Sequence, residues 1–376
     1  MSENNPIKLF DPILTDEMKV AAMDALEKDM WTDGEYVAKF EEKFAEFVGA
    51  KYAVATNSGT SAIYSSMNVL KTLSGRKLQK VITSPFGFIT TANSIVLDNS
   101  VPVFVDIDEH LNLLPGIEKY LDSNVNMKHT GAIMPVCMHG HKTDIDKIRS
   151  FCTENNLHMI TDACQFHAKD TGVVGDVMCY SFYPTKNMTI CMDGGMIATD
   201  NEMIRDLTKS ITDCGRTAGT PRHIHRNYGL TMRMSSIGAA IGIEQLKHLD
   251  DWNKLRQRNA REYMKYLKNT FGISLPTHYT DESVWYVFEI RTPYRDLLSA
   301  HLNHCVPSIN TGMHFPIPIN RQPIYCGCFA DEYPVSNGIA STTLSLPVHP
   351  NISMSDIKYI CDTINDFMET IEYIEG

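Results

Sequence analysis

The chain has 376 residues, of which 43% are hydrophobic and 21% charged, enough for one large core or two domains and unlike a disordered protein. Its formal net charge of -11 argues against a general nucleic-acid or anionic-membrane binder, while leaving room for a local basic pocket. The N-terminus lacks a basic-then-apolar leader pattern, and no apolar run reaches the roughly 18 residues that span a bilayer. Ten cysteines are scattered along the chain; Cys326-Gly-Cys328 is the one tight pair, and no second pair completes a zinc site. Reduced thiols, no metal and a cytoplasmic location are therefore expected.

In chain order, short apolar runs at 52–56, 80–84, 102–107, 131–136, 158–162, 177–182 and 195–199 read as strands. Helical patterns lie between most of them, for example at 60–72, 88–97 and 143–155. Buried strands alternating with helices predict an α/β domain with a mostly parallel sheet. A long helical pattern follows from about Met234 to Asn269, with a break expected near Asp250 and Asp251. Beyond it come a strand-like VWYVFEIR at 284–291, a helix at 294–303, a Pro-rich loop at 315–323 and an amphipathic helix at 354–373. These read as a smaller α+β domain, with a boundary inside or near the long helix.

Parallel sheets bind ligands beyond the carboxyl ends of their strands. After the first strand, Asn57-Ser58-Gly59-Thr60-Ser61 opens a helix, whose N–H groups, hydroxyls and positive end make an anion cradle, although such residues also cap ordinary helices. The segment has neither the G-x-x-x-x-G-K-[ST] nor the G-x-G-x-x-G pattern, which lowers the case for a P-loop NTPase or a dinucleotide enzyme. After the second strand, one aromatic of Pro85-Phe86-Gly87-Phe88 is placed to stack on a planar ligand, unless both are core. Asp162 ends an apolar strand, where a buried acid needs a partner; a cationic ring nitrogen would serve, and so would a helix cap. The sixth strand leads through Ser181 to Lys186, one ammonium in the uncharged run SFYPTKNMTICM. A desolvated lysine becomes nucleophilic and forms Schiff bases, whereas a loop lysine is simply solvated. Phosphate cradle, aromatic, buried acid and lysine together match the needs of pyridoxal 5'-phosphate (PLP).

The ordered motifs NSGTSAI (57–63), PFGFITTANSI (85–95), PVFVDID (102–108), MHGH (138–141), TDACQ (161–165), SFYPTKN (181–187), DGG (193–195), RMSSIGAAIGIEQL (233–246) and SLPVHP (345–350) resemble the DegT-type (StrS-like) sugar aminotransferases over nearly the whole chain. That resemblance implies an aspartate-aminotransferase-like α/β architecture (PLP fold type I). A large domain, 1–248, would carry a seven-stranded mostly parallel sheet, and a smaller C-terminal α+β domain would span 249–376. It implies that Lys186 forms the Schiff base with PLP, that Asp162 partners the pyridinium nitrogen, that Gln165 lies near the ring hydroxyl and that Phe86 stacks on the ring. It places Ser58, Gly59, Thr60 and Ser181 on the phosphate, with Thr231 standing where the family often has an Asn that reaches the partner subunit's phosphate. It further implies a homodimer with shared sites and amine transfer, with L-glutamate as donor and a keto-sugar, commonly nucleotide-linked, as acceptor in amino-sugar biosynthesis.

Two departures bear on substrate. The loop after the lysine reads KNMTICMDGG, with Thr189 and Met192 where the family often has glycines, so substrate preference is expected to depart there. Family members that dehydrate replace the lysine with His, which Lys186 argues against. Between Gly215 and Arg233 lie Arg216, Arg222, His223, His225, Arg226 and Arg233 with no acid among them, a candidate diphosphate contact or else a solvated basic loop or dimer contact. Arg216, Arg226, Arg233 and His314 are the candidate substrate ligands, with His349 considered beside them. The competing readings are a PLP enzyme of the same fold acting on a non-nucleotide sugar or ring ketone, a dehydratase, and a PLP-fold regulator without turnover.

Overall fold

The computed structural model describes residues 5–375 apart from 29, 76, 77, 123–128, 143, 222, 278, 326 and 329–332. Arg222 and Cys326 therefore lie outside the described residues. Two helices, α1 (Asp16–Lys28) and α2 (Glu35–Val48), precede a seven-stranded sheet. Its strands are β1 (Tyr52–Thr56), β2 (Lys80–Thr83), β3 (Val101–Phe104), β4 (Thr130–Met134), β5 (His158–Asp162), β6 (Val177–Ser181) and β7 (Gly195–Thr199), each on one of the expected apolar runs. The spatial order is β1-β7-β6-β5-β4-β2-β3. The β2–β3, β2–β4, β4–β5 and β5–β6 pairs are parallel, whereas β7 runs antiparallel to both β1 and β6.

Five helices connect these strands or follow the last: α3 (Gly59–Ser74), α4 (Thr90–Leu97), α5 (Leu114–Asp122), α6 (Ile145–Asn155) and α7 (Glu202–Thr212). Strands β5, β6 and β7 are almost wholly buried, as strands covered on both faces by helices must be. Local chemistry sets the helix starts. Ser58 caps α3 by accepting the Ser61 N–H, and Asn201 caps α7 by accepting from the Met203 and Ile204 N–H groups.

The long helix α8 (Ser236–Leu267) is continuous, contrary to the expected break at Asp250–Asp251. Those two acids sit on its solvent face, where Lys254 reaches both, at 2.8 and 3.3 Å, so they support the helix instead of ending it. Its first half packs Ala239, Ile243 and Leu249 into the core of the large sheet; its second half packs Ala260, Tyr263 and Leu267 into a separate core. That second core is built from α9 (Arg295–His304), the antiparallel pair β8 (Phe288–Arg291) and β9 (Thr343–Leu346), and α11 (Met354–Glu375), which supply among others Leu298, Phe288, Leu344 and Ile360, whereas α10 (Pro334–Thr342) packs Ile339 and Ala340 into the core of the large sheet. Ile7 from the N-terminal segment joins it, pairing with Ile309.

The strand expected over 284–291 is only half formed. Val284 and Tyr286 give their N–H groups to the carbonyls of Gly140 and His139, so the MHGH turn takes the backbone bonds that a longer strand would need. Gly140 allows this approach: its φ is +88°, and a Cβ there would lie 2.7 Å from the Tyr286 nitrogen. Among the described residues, no helix is long and apolar enough to cross a membrane.

Candidate active site

One cavity of about 470 Å³ lies along the carboxyl edge of the large sheet. Five strand ends contribute to it: Ser58, Gly59 and Thr60 after β1, Phe88 and Thr90 after β2, Val136 after β4, Asp162, Cys164 and Gln165 at β5, and Ser181, Tyr183, Thr185 and Lys186 after β6. Because β7 runs the other way, it presents its start, and Asp193 lines the cavity from there. The C-terminal part of the chain closes the cavity with Tyr286, His314 and Phe315, and the N-terminal segment adds Phe10.

The expected cradle is assembled. By helix geometry the first N–H groups of α3 have no partner within the helix, and they open beside Ser181. Gly59 is required: a Cβ there would lie 2.7 Å from the Ser181 Cβ and 3.0 Å from the Cys164 Sγ. Asp162 is buried, its Oδ2 accepting from the Thr91 hydroxyl at 2.7 Å and its Oδ1 from the Cys164 N–H at 3.1 Å. A carboxylate so held keeps acceptor capacity for a third partner. Gln165 accepts the His139 N–H at 2.7 Å through Oε1, which leaves its amide NH₂ as a donor. Lys186 is half-buried, with Nζ 4.3 Å from the centroid of the Tyr286 ring. Burial, followed by the charge of Asp162, pushes the Cys164 thiol well above its ordinary range, so it is no nucleophile.

The stacking residue is corrected. Phe86 is 2% exposed and belongs to the core under the sheet, edge-on to His139, and it is not a lining residue. Phe88, two residues on, is 54% exposed and lines the cavity. In a continuing strand residues two apart would share a face, but the chain bends over residues 85–87, which separates the two aromatics.

The basic segment also differs from expectation. Asp213, just ahead of it, accepts from Arg216 at 2.9 and 2.5 Å and from Arg233 at 2.7 Å. Arg216 and Arg233 are thus committed to an ion pair. Arg226 is exposed, and none of the three lines the cavity. Thr231 is exposed and bonded to the Cys214 thiol at 3.1 Å. His314 does line the cavity; burial and then the charges of His139 and Lys186 push its ring down to about 3, which leaves it neutral. His349 is buried away from it, on the Lys8 carbonyl.

Thr189, Ile190, Cys191 and Met192 are absent from the lining. Met188, Thr189 and Ile190 are buried, with Thr189 bonded to Gln245 and to the Phe182 carbonyl, so this departure alters the support of the lysine loop and not the cavity wall. Phe10, Tyr286 and Phe315, which do form that wall, were not anticipated; Phe315 sits within the expected Pro-rich loop, and the other two carry no local motif.

The residues present fit PLP: an anion cradle, a buried acid with a spare lone pair, an amide donor, an exposed aromatic and a lysine converge on one cavity. Comparisons with known proteins agree. Over residues 12–365 the chain matches the model of the DegT/DnrJ/EryC1/StrS aminotransferase family. It is 31% identical to a pleiotropic regulatory protein of Geobacillus stearothermophilus, covering 89% of this chain and 90% of that one. It is 30% identical to the UDP-2-acetamido-2-deoxy-3-oxo-D-glucuronate aminotransferase of Pseudomonas aeruginosa, covering 94% and 96%. The crystal structure of S. venezuelae DesV with a ketimine intermediate superposes with a TM-score of 0.85 at 27% identity over 94% of each chain. With its sheet, lysine and acid in place, the chain belongs to the DegT/DnrJ/EryC1/StrS aminotransferase family.

Proposed function

We propose that this PLP-dependent sugar aminotransferase takes its amino group from L-glutamate and delivers it to a nucleotide-linked keto-sugar, as a homodimer with shared sites in the cytoplasm. The observation that carries the reading is the convergence of Lys186 and Asp162 on one cavity at the carboxyl edge of the sheet. When bound, PLP supplies an electron-accepting ring for the electron pair left as a Cα–H bond breaks.

The chain's own residues do the rest. Asp162 keeps the ring nitrogen protonated, and Thr91 and the Cys164 N–H hold its carboxylate in place. Gln165 donates to the ring oxygen, its orientation set by the His139 N–H. Ser58, Gly59, Thr60 and Ser181 bind the phosphate at the start of α3. Phe88, exposed in the cavity wall, would cover the ring face. Lys186 would be the amine that holds the cofactor and the base that takes the proton from the donor Cα. A lysine here, not a histidine, disfavours dehydration.

The nucleotide-linked acceptor is supported by relatives such as the Pseudomonas aeruginosa enzyme, whose name specifies a UDP-sugar. Shared sites are supported by an apolar surface: Val20, Met23 and Leu26 on α1, then Trp31, and beyond them Tyr228 and Leu230, are all exposed in the single chain. The nine described cysteines are all free, as suits a reducing compartment. Incubation with glutamate and a panel of nucleotide keto-sugars tests the reading: 2-oxoglutarate should form in step with an amino-sugar, and absence of product with every nucleotide sugar would sink the acceptor class. The same panel without nucleotides tests the competing substrate.

A further inference from the structure

His139 is completely buried, yet both of its ring nitrogens face oxygen atoms. Nδ1 is 2.9 Å from the Glu289 carboxylate, and Nε2 is 2.7 Å from the His314 carbonyl. A carbonyl can only accept, so Nε2 carries a proton. Nδ1 then either donates to an ionised Glu289 or accepts from a protonated one. The surroundings decide between these. The other oxygen of Glu289 takes the Arg291 Nε–H at 2.7 Å and lies 3.3 Å from the Thr343 hydroxyl. A carboxylate that accepts from a guanidinium at this distance is held in its ionised form, so Nδ1 is the donor.

We propose that His139 is a buried imidazolium, paired with Glu289, and that this pair is a positioning device for the cavity wall. The residue ties together several parts of the chain that line the site. Its N–H orients Gln165, its carbonyl receives the Tyr286 N–H, and its Nε2–H holds the His314 carbonyl just ahead of Phe315. Gln165, Tyr286, His314 and Phe315 all line the cavity. The backbone of His139 is left-handed, with φ at +56°, a conformation uncommon outside glycine that these four bonds stabilise. The ion pair therefore sets the distance between the MHGH turn of the large sheet and strand β8 of the second core.

The test is a ¹H–¹⁵N spectrum of the cofactor-loaded protein labelled at histidine nitrogens, recorded at pH 7.5. Two ring N–H signals for His139 are expected, assigned by their loss in His139→Gln or, if that variant does not fold, by their proximity to the Phe86 ring. A single N–H with an unprotonated Nδ1 would overturn the proposal. Glu289→Gln supplies the kinetic arm: the KM for the keto-sugar should rise about tenfold, more than kcat falls, because the wall shifts while Lys186 stays in place. Wild-type KM and kcat in Glu289→Gln would also overturn the positioning role. The spectroscopic result does not depend on which substrate the enzyme takes, so its failure is distinguishable from a wrong acceptor.

Discussion

The ammonium of Lys186 lies 4.3 Å from the centroid of the Tyr286 ring, so the lysine at the end of the large sheet is met by a side chain from the edge of the second core. The Tyr286 hydroxyl is 3.1 Å from that of Thr185, beside the lysine, and Phe10 stacks on the same tyrosine ring at 5.4 Å. A cation over an aromatic face is stabilised by about 0.5–2 kcal/mol, depending on how far both are desolvated. Tyr286→Leu should lower kcat by roughly tenfold, and Tyr286→Phe, which keeps the ring, by less than about threefold. Equal losses in the two variants would show that the hydroxyl, not the ring, matters.

Lys186→Ala should abolish turnover. Borohydride reduction of the wild-type protein should fix the cofactor mass on the peptide containing Lys186. Normal turnover in the alanine variant, or label on another lysine, would refute the assignment of Lys186.

Thr91→Val removes the hydroxyl that holds the Asp162 Oδ2 at 2.7 Å. A hydrogen bond to a charged group contributes about 1.5–3 kcal/mol, so PLP affinity should fall by roughly 10- to 100-fold. Titration of the apo-protein with PLP, followed by its visible absorbance, measures this. Gly59→Ala should weaken binding as well and cost about 1–3 kcal/mol of stability, since its Cβ would crowd Ser181.

Tyr228 is 97% exposed and Leu230 54%. Tyr228→Glu combined with Leu230→Glu should yield monomers by sedimentation, with loss of cofactor retention. A dimer of wild-type stability would remove these residues from the interface.

His167 is buried on the Ser181 carbonyl, and burial, then the charge of Lys186, push its ring down from 6.5 to about 3. The unfolded chain takes up this proton as pH falls through 6.5, whereas the folded chain resists until about 3. Stability is therefore lost on acidification across that window, by ~1.4 kcal/mol per pH unit from this group. Urea unfolding of wild type and His167→Gln at pH 7 and pH 5 isolates it, because the other titrating groups are common to both. The variant should show the shallower decline; parallel declines would contradict the assignment.

The seven strands of the large sheet were legible in the sequence because fully buried strands are short continuous apolar runs bounded by polar turns, a local property. Lys186, Asp162 and the 58–60 cradle were legible for a related reason: each follows directly on a strand, and a parallel sheet collects strand ends at one edge. The aromatic expected in the cavity was Phe86, whereas Phe88 lines it and Phe86 is core, because nothing local says which way a side chain faces after a strand ends. Arg216 and Arg233 are paired by Asp213, which lies ahead of the basic run, so the charges within that run do not reveal the ion pairs.

By itself, the order of residues determined the layered α/β class, the edge at which chemistry occurs and the lysine and acid that stand there. Only the tertiary structure decided what closes the cavity. Phe10, Tyr286, His314 and Phe315 come from distant parts of the chain, and the His139–Glu289 contact behind Tyr286 and His314 joins residues 150 positions apart. Periodicity and spacing report what a residue's neighbours in sequence require. Contacts across that separation depend on how two cores dock, which no local pattern encodes.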